Sequence, residues 1–281
     1  MNHKMKNIYF TFLLIFLNIS LKAQKMPDIQ AMALNAPVNV RIDGKASEWG
    51  DTFAADNKRT SLLYSLANDD KNLYLVIKGI GAANINKIML GGITFNINLE
   101  GKKREKEAFS ITYPLVKRAA RNQGRQGQAR VGFGNGGGQN RTQLTTAQRD
   151  SASLVNHKTQ LGTVKEIKIS GFKSISDTLI SIYNEYGVKA VALFDAKGAM
   201  IYELAIPLSL LELSTDKPKE FAYQLKVNGL VINGFGNVGG AGNNSAGGGG
   251  RARVANGGGS NNIQDIMSPT DFWGKYTLIK K

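Results

Sequence analysis

Residues 187–211 read GVKAVALFDAKGAMIYELAIPLSLL, two mainly apolar runs (188–194 and 199–206) joined by Asp195-Ala196-Lys197-Gly198. Short apolar runs bounded by turn residues read as buried strands. Asp and Gly at the junction predict a tight hairpin, because glycine accepts positive φ without steric cost. Pro207 ends the second strand, since it has no N–H to give to a ladder.

The same patterning extends in both directions. Upstream, residues 38–42 (VNVRI), 61–67 (SLLYSLA), 72–78 (NLYLVIK), 92–99 (GITFNINL) and 108–113 (AFSITY) read as strands, the last stopped by Pro114. Asn68-Asp69-Asp70-Lys71 is a hairpin turn by composition. Residues 84–90 make one or two helical turns with Asn84 as the cap. Downstream, 164–172 (VKEIKISGF) alternates as a strand, and 174–182 fits a helix or a strand equally. Residues 207–213 form a helical turn, 221–232 a long strand with Gly229 as a bulge, and 275–279 the last strand. Roughly ten short strands with few helices predict an all-β, antiparallel β-sandwich. A closed barrel of the same strands is the structural alternative.

Composition changes twice along the chain. From 108 to 149 there is no acid, while Lys117, Arg118, Arg121, Arg125, Arg130, Arg141 and Arg149 supply seven positive charges. Residues 118–141 are expected to be a disordered basic insertion, and residues 142–155 a short helix leaving it. Residues 234–262 contain 12 glycines among 29 residues, too little apolar surface to offset chain entropy. Both segments fall between strands, so both are expected as loop insertions in a single domain spanning 38–281.

Residues 1–23 read as a secretory signal, with Lys4 and Lys6 ahead of an apolar run and Ala23 at the cut. The rival reading, a membrane anchor, meets a length limit: twelve helical residues span about 18 Å, against roughly 30 Å of hydrocarbon. Residues 24–37 are expected as an N-terminal linker. The chain has no cysteine, which excludes disulfides and a lipid-anchored N-terminus. The expected location is therefore exported, periplasmic or extracellular, with no transmembrane span in the mature chain. Removing the signal lowers the net charge from +15 to +12.

Candidate sites are few. Trp49 and Trp273 offer indole faces that suit a pyranose ring, although a single Trp near a strand end more often fills the core. Tyr183-Asn184-Glu185-Tyr186 places two aromatic and two polar groups in one loop before the hairpin, where a rigid sheet presents binding residues. Asp43, Glu48, Asp51, Asp69 and Asp70 carry Ca²⁺-type oxygens but lack the EF-hand spacing, and turn capping explains them. No metal site and no cofactor is expected. Nor is catalysis: His157 is the only histidine after the signal, and no nucleophile elbow, phosphate loop or zinc-type cluster is present. The Arg/Gly segments resemble nucleic-acid tails in composition, but export argues against nucleic acid; an anionic envelope polymer or lipid head groups present similar charge, and the plainer reading is a solvated loop with no partner.

Three motifs and a strand occur in a recognisable order. Ile42-Asp43-Gly44-Lys45 precedes Glu48-Trp49; Asn72-Leu73-Tyr74-Leu75 follows; then come Tyr202-Glu203-Leu204-Ala205-Ile206-Pro207 and Phe272-Trp273-Gly274. This order resembles the family 9 carbohydrate-binding modules and their β-sandwich relatives, and similar Gly-rich loops occur in exported Bacteroidetes proteins. The resemblance implies a sandwich from about residue 38 to the end, and a non-catalytic module for a glycan. Family members hold sugar between two tryptophans, and this chain has only Trp49 and Trp273. The alternative function is an envelope-associated structural protein working through its basic Gly/Arg-rich loops.

Overall fold

A computed structural model describes residues 25–50, 52–117, 145–230 and 265–280. The expected signal, Asp51 and both expected insertions (118–141 and 234–262) lie outside the described residues. The elements are β1 (Ala55–Asn57), β2 (Leu62–Asn68), β3 (Asn72–Gly79), α1 (Ala82–Gly91), β4 (Ile93–Asn98) and β5 (Phe109–Tyr113). They continue as α2 (Thr146–Gly162), β6 (Glu166–Ser170), β7 (Leu179–Ser181), β8 (Lys189–Phe194), β9 (Met200–Pro207), β10 (Glu220–Val227) and β11 (Thr270–Thr277). A 3₁₀ turn covers Ser47–Trp49, and a second covers Leu208–Leu211.

The strands form two antiparallel sheets, so the chain is an all-β sandwich. The first sheet has the order β1-β2-β3-β9-β8, and the second β11-β10-β4-β5-β6-β7. The β8–β9 hairpin is as expected, with Asp195 Oδ1 accepting from the N–H groups of Lys197 (2.9 Å) and Ala199 (2.8 Å). Because successive side chains point to opposite faces, alternate residues turn inward. Leu66, Leu75, Tyr202 and Leu204 of the first sheet meet Phe95, Ile111, Tyr223 and Leu225 of the second in one core. The hydroxyls of Tyr64 and Tyr223 join the two layers at 2.8 Å. Gly274 makes room for the Tyr223 ring, which occupies the place a Cβ would need.

The fold departs from several sequence expectations. Residues 38–42 form no strand; Asn39 turns the chain at φ 59°. Leu34, Val40, Ile42 and Trp49 pack instead on Ala67, Tyr74 and Ala205, while Trp49 and Phe53 flank Val76 and Ile201. The reason is that β3 and β9 are apolar on both faces, so the outer face must also be covered. Residues 24–37, expected as a linker, include part of this cover. Gln30 is buried, its Oε1 accepts from Leu66 N–H (2.8 Å), and its Nε2 donates to Leu66 C=O (2.7 Å).

Helix α1 begins after Gly81, not at Asn84, whose side chain donates to Ser61 C=O at 3.0 Å. Strand β10 stops at Val227, ahead of Gly229, so no bulge forms there. Residues 174–182 contribute only the short strand β7. Helix α2 is longer than expected and lies against β8, the edge strand of the first sheet, near Phe194. No helix among the described residues is long and apolar enough to cross a membrane.

Candidate functional site

On the first sheet, the outer face centres on Glu203, which is 1% exposed in the middle of β9. Its Oε2 accepts the N–H groups of Asp43 (3.0 Å) and Gly44 (2.6 Å), and its Oε1 accepts the indole N–H of Trp49 (3.2 Å). Burial raises the carboxyl above its ordinary pKa, and the two backbone donors pull the other way. Gly44 sits at φ +80°, and a Cβ there would meet the side chains of Leu193 and Val191. The Trp49 ring stands edge-on to Tyr74, with centroids 6.2 Å apart. Trp49, Asp43 and Gly44 thus belong to a clamp that fastens the covering segment to the sheet. This arrangement consumes the groups a ligand would need.

The outer face of the second sheet is polar. Its register aligns Trp273, Gln224, Asn96, Ser110 and Ser170 in one row across β11, β10, β4, β5 and β6. Beside it runs a second row of Asp271, Lys226, Thr94, Thr112 and Lys168. Asn96 Nδ2 donates to Gln224 Oε1 at 2.6 Å, and Gln224 Nε2 donates to Asp271 Oδ2 at 2.7 Å. The hydroxyls of Thr94 and Thr112 are 2.7 Å apart, and Asn228 Nδ2 donates to Thr94 Oγ1 at 2.8 Å. Lys226 Nζ reaches Glu105 Oε1 at 2.8 Å, and this bond holds the Glu105 carboxyl below its ordinary range. Asn96 and Gln224 are buried and form the floor; Trp273, Ser110, Thr112, Asp271 and Lys226 are half-buried around them.

The two tryptophans therefore lie on opposite outer faces of the sandwich and cannot hold one ring between them. In the 183–186 loop, Tyr183 is 79% exposed and Glu185 is exposed. Asn184 is occupied locally, its Nδ2 donating to Ser181 C=O (2.8 Å) and Val188 C=O (2.7 Å). Tyr186 packs against the core. The loop thus presents Tyr183 and Glu185 outward and uses its other two residues internally.

Of the acids considered for Ca²⁺, the described ones, Asp43, Glu48, Asp69 and Asp70, are engaged within the fold. Asp69 Oδ1 accepts the N–H groups of Lys71 (2.8 Å) and Asn72 (2.7 Å), and its Oδ2 accepts the Tyr74 hydroxyl (2.9 Å). Asp43 Oδ1 accepts from Lys45 N–H at 3.0 Å, Glu48 pairs with Arg41 at 2.9 Å, and Asp70 Oδ1 accepts from the Thr215 hydroxyl at 3.2 Å. Among the described residues, no three His, Cys, Asp or Glu side chains are placed to hold a metal.

Sequence reasoning did not foresee a cleft of about 350 Å³ between α1, α2 and the β8–β9 turn. His157 on α2 stacks on Phe194, with centroids 6.1 Å apart and planes inclined by 15°. Burial lowers the His157 pKa. Ser151 and Ser153 line the same cleft, but none of the described hydrogen bonds joins a serine to the imidazole. No protein-family model matches the chain, and no curated protein or solved structure does either.

Proposed function

We propose that the protein is an exported, non-catalytic binding module that takes a carbohydrate on the outer face of its second sheet. The observation that carries this reading is Trp273 lying in register beside the Asn96–Gln224–Asp271 chain. An indole ring stacks on the apolar face of a pyranose, while fixed amides, hydroxyls and carboxylates meet its equatorial hydroxyls. The amides hold one another in place, so little rotamer freedom remains to be lost on binding. The motif order that resembles family 9 carbohydrate-binding modules supports the same ligand class.

Affinity electrophoresis of the chain without residues 1–23, in gels containing a panel of polysaccharides, tests the proposal. Retardation by at least one polysaccharide, lost in Trp273→Ala and kept at high salt, is expected. Folded wild-type protein that no polysaccharide retards removes the sugar assignment. The acid-free run from 108 to 149 favours a second reading, attachment to an anionic envelope polymer. That reading predicts retention that falls steeply with salt and ignores Trp273.

A further inference from the structure

Lys87 stands among the apolar residues of α1 and is 7% exposed. Its ammonium donates to Thr270 Oγ1 at 3.1 Å. Among the described residues it has no carboxylate within ion-pair distance, although Asp265 lies near enough to favour its charge. Burial acts more strongly and lowers its pKa. An ammonium has three donors, so two remain without a partner among the described residues. A buried cation is costly unless it is paired and hydrogen-bonded.

What lies beside it is an open space that could receive the missing half of a pair. A cleft of about 300 Å³ at this end of the sandwich is lined by Lys87, Arg59, Ser61, Asn84, Ser268 and Thr270. The Arg59 side chain is 70% exposed, and its ion-pair partner Asp271 is 3.8 Å away, a loose contact. The ten-residue α1 begins with no side-chain cap, and its first-turn residues Ala83 and Asn84 also line the cleft. First-turn N–H groups have no intrahelical acceptor and carry the positive end of the helix dipole. Asp265 is the one acid of the lining.

We propose that this cleft binds a small oxyanion: a carboxylate, a sulfate or a phosphate. Lys87 supplies a point charge from the floor and Arg59 a planar fork from the rim. The hydroxyls of Ser61, Ser268 and Thr270 complete the donor set. The ligand supplies the counter-charge that the fold does not give Lys87.

The test is thermal melting of the full chain after removal of residues 1–23, at constant ionic strength. Sulfate, inorganic phosphate or glucuronate replaces chloride stepwise. At least one is expected to raise the Tm along a saturating curve. The response should vanish in Lys87→Met, which keeps the stem and removes the charge. It should weaken about tenfold in Arg59→Gln. Saturation by glucuronate alone assigns an acidic sugar; saturation by sulfate or phosphate assigns the free anion or its ester. Equal, unsaturated rises in wild type and Lys87→Met are the general action of excluded salts and overturn the site. So does a flat response to all three anions. If Lys87→Met does not fold, an undiminished response in Arg59→Gln overturns it.

Discussion

On the first sheet the outward residues Tyr74, Val76, Ile201 and Ala205 are as apolar as the inward ones, and Leu34, Val40, Ile42, Trp49 and Phe53 lie over them. On the second sheet the outward residues of the central strands are Thr94, Asn96, Ser110, Thr112 and Gln224. The ladders are alike, so the difference lies wholly in side-chain chemistry. A sheet face made apolar must be roofed, and the roof consumes its polar groups. A face made of amides and hydroxyls satisfies itself laterally and keeps an aromatic ring at its edge. Trp49 and Trp273 show this contrast in one residue type, the first donating to Glu203 and the second standing beside Gln224.

The largest expected effect comes from breaking the roofed face. Glu203→Ala leaves two backbone N–H groups and an indole N–H without an acceptor. It should cost on the order of 3–5 kcal/mol in urea unfolding. If Glu203→Ala and Trp273→Ala are equally stable, the asymmetry between the faces is wrong.

Alkali attacks the same roof. Tyr74 is 7% exposed, and burial, aided by its bond to Asp69, pushes its pKa up to about 12. A raised folded pKa means the native state keeps a proton that the unfolded chain loses. This stability is complete below pH 10 and disappears as pH rises from about 10 to about 12, amounting to about 3 kcal/mol. Burial also raises Tyr64, Tyr113, Tyr202, Tyr223 and Tyr276, so the gap between the urea midpoints of wild type and Tyr74→Phe across that range measures the share of Tyr74.

The third test exchanges the tryptophans. Trp49→Ala should lower stability by about 3 kcal/mol. Trp273→Ala should cost less than about 1 kcal/mol, while abolishing polysaccharide retention. Retention lost in Trp49→Ala but kept in Trp273→Ala would move the binding face to the first sheet.

The smallest effect concerns the edge of the first sheet. Burial depresses the His157 pKa, so its contribution is present above the unfolded value of about 6.5 and is lost as pH falls below it. Hydrogen exchange in residues 146–162 should quicken modestly at pH 5 while the strands stay protected. His157→Gln should remove that dependence.

Much of the fold was legible because sheet alternation is a local signal. MIYELAI reads as a buried run and is buried along its length in the structure. TFNIN alternates and reads as buried on one face only, yet Thr94, Asn96 and Asn98 are buried too. The segment 38–42 misled because VNVRI alternates like a strand, yet Val40 and Ile42 serve as roofing for other strands and Val38 stands exposed. The lone acid in MIYELAI was the available sign of the clamp, since a carboxylate in a buried run must have donors somewhere. Asn96 and Gln224 left no such sign, because polar residues at alternate positions look like any solvent face. Lys87 was concealed in the same way inside INKIML, where one lysine passes for the wet edge of a helix. In each case the missing information was long-range pairing.

The clamp also dictates a chronology. Asp43 and Glu203 are 160 residues apart, and Leu34 meets Tyr276 across 242. A chain made from its N-terminus therefore produces residues 43–49 early, while the carboxylate that fastens them arrives only with β9. An early-made stretch of the chain is thus among the last to settle.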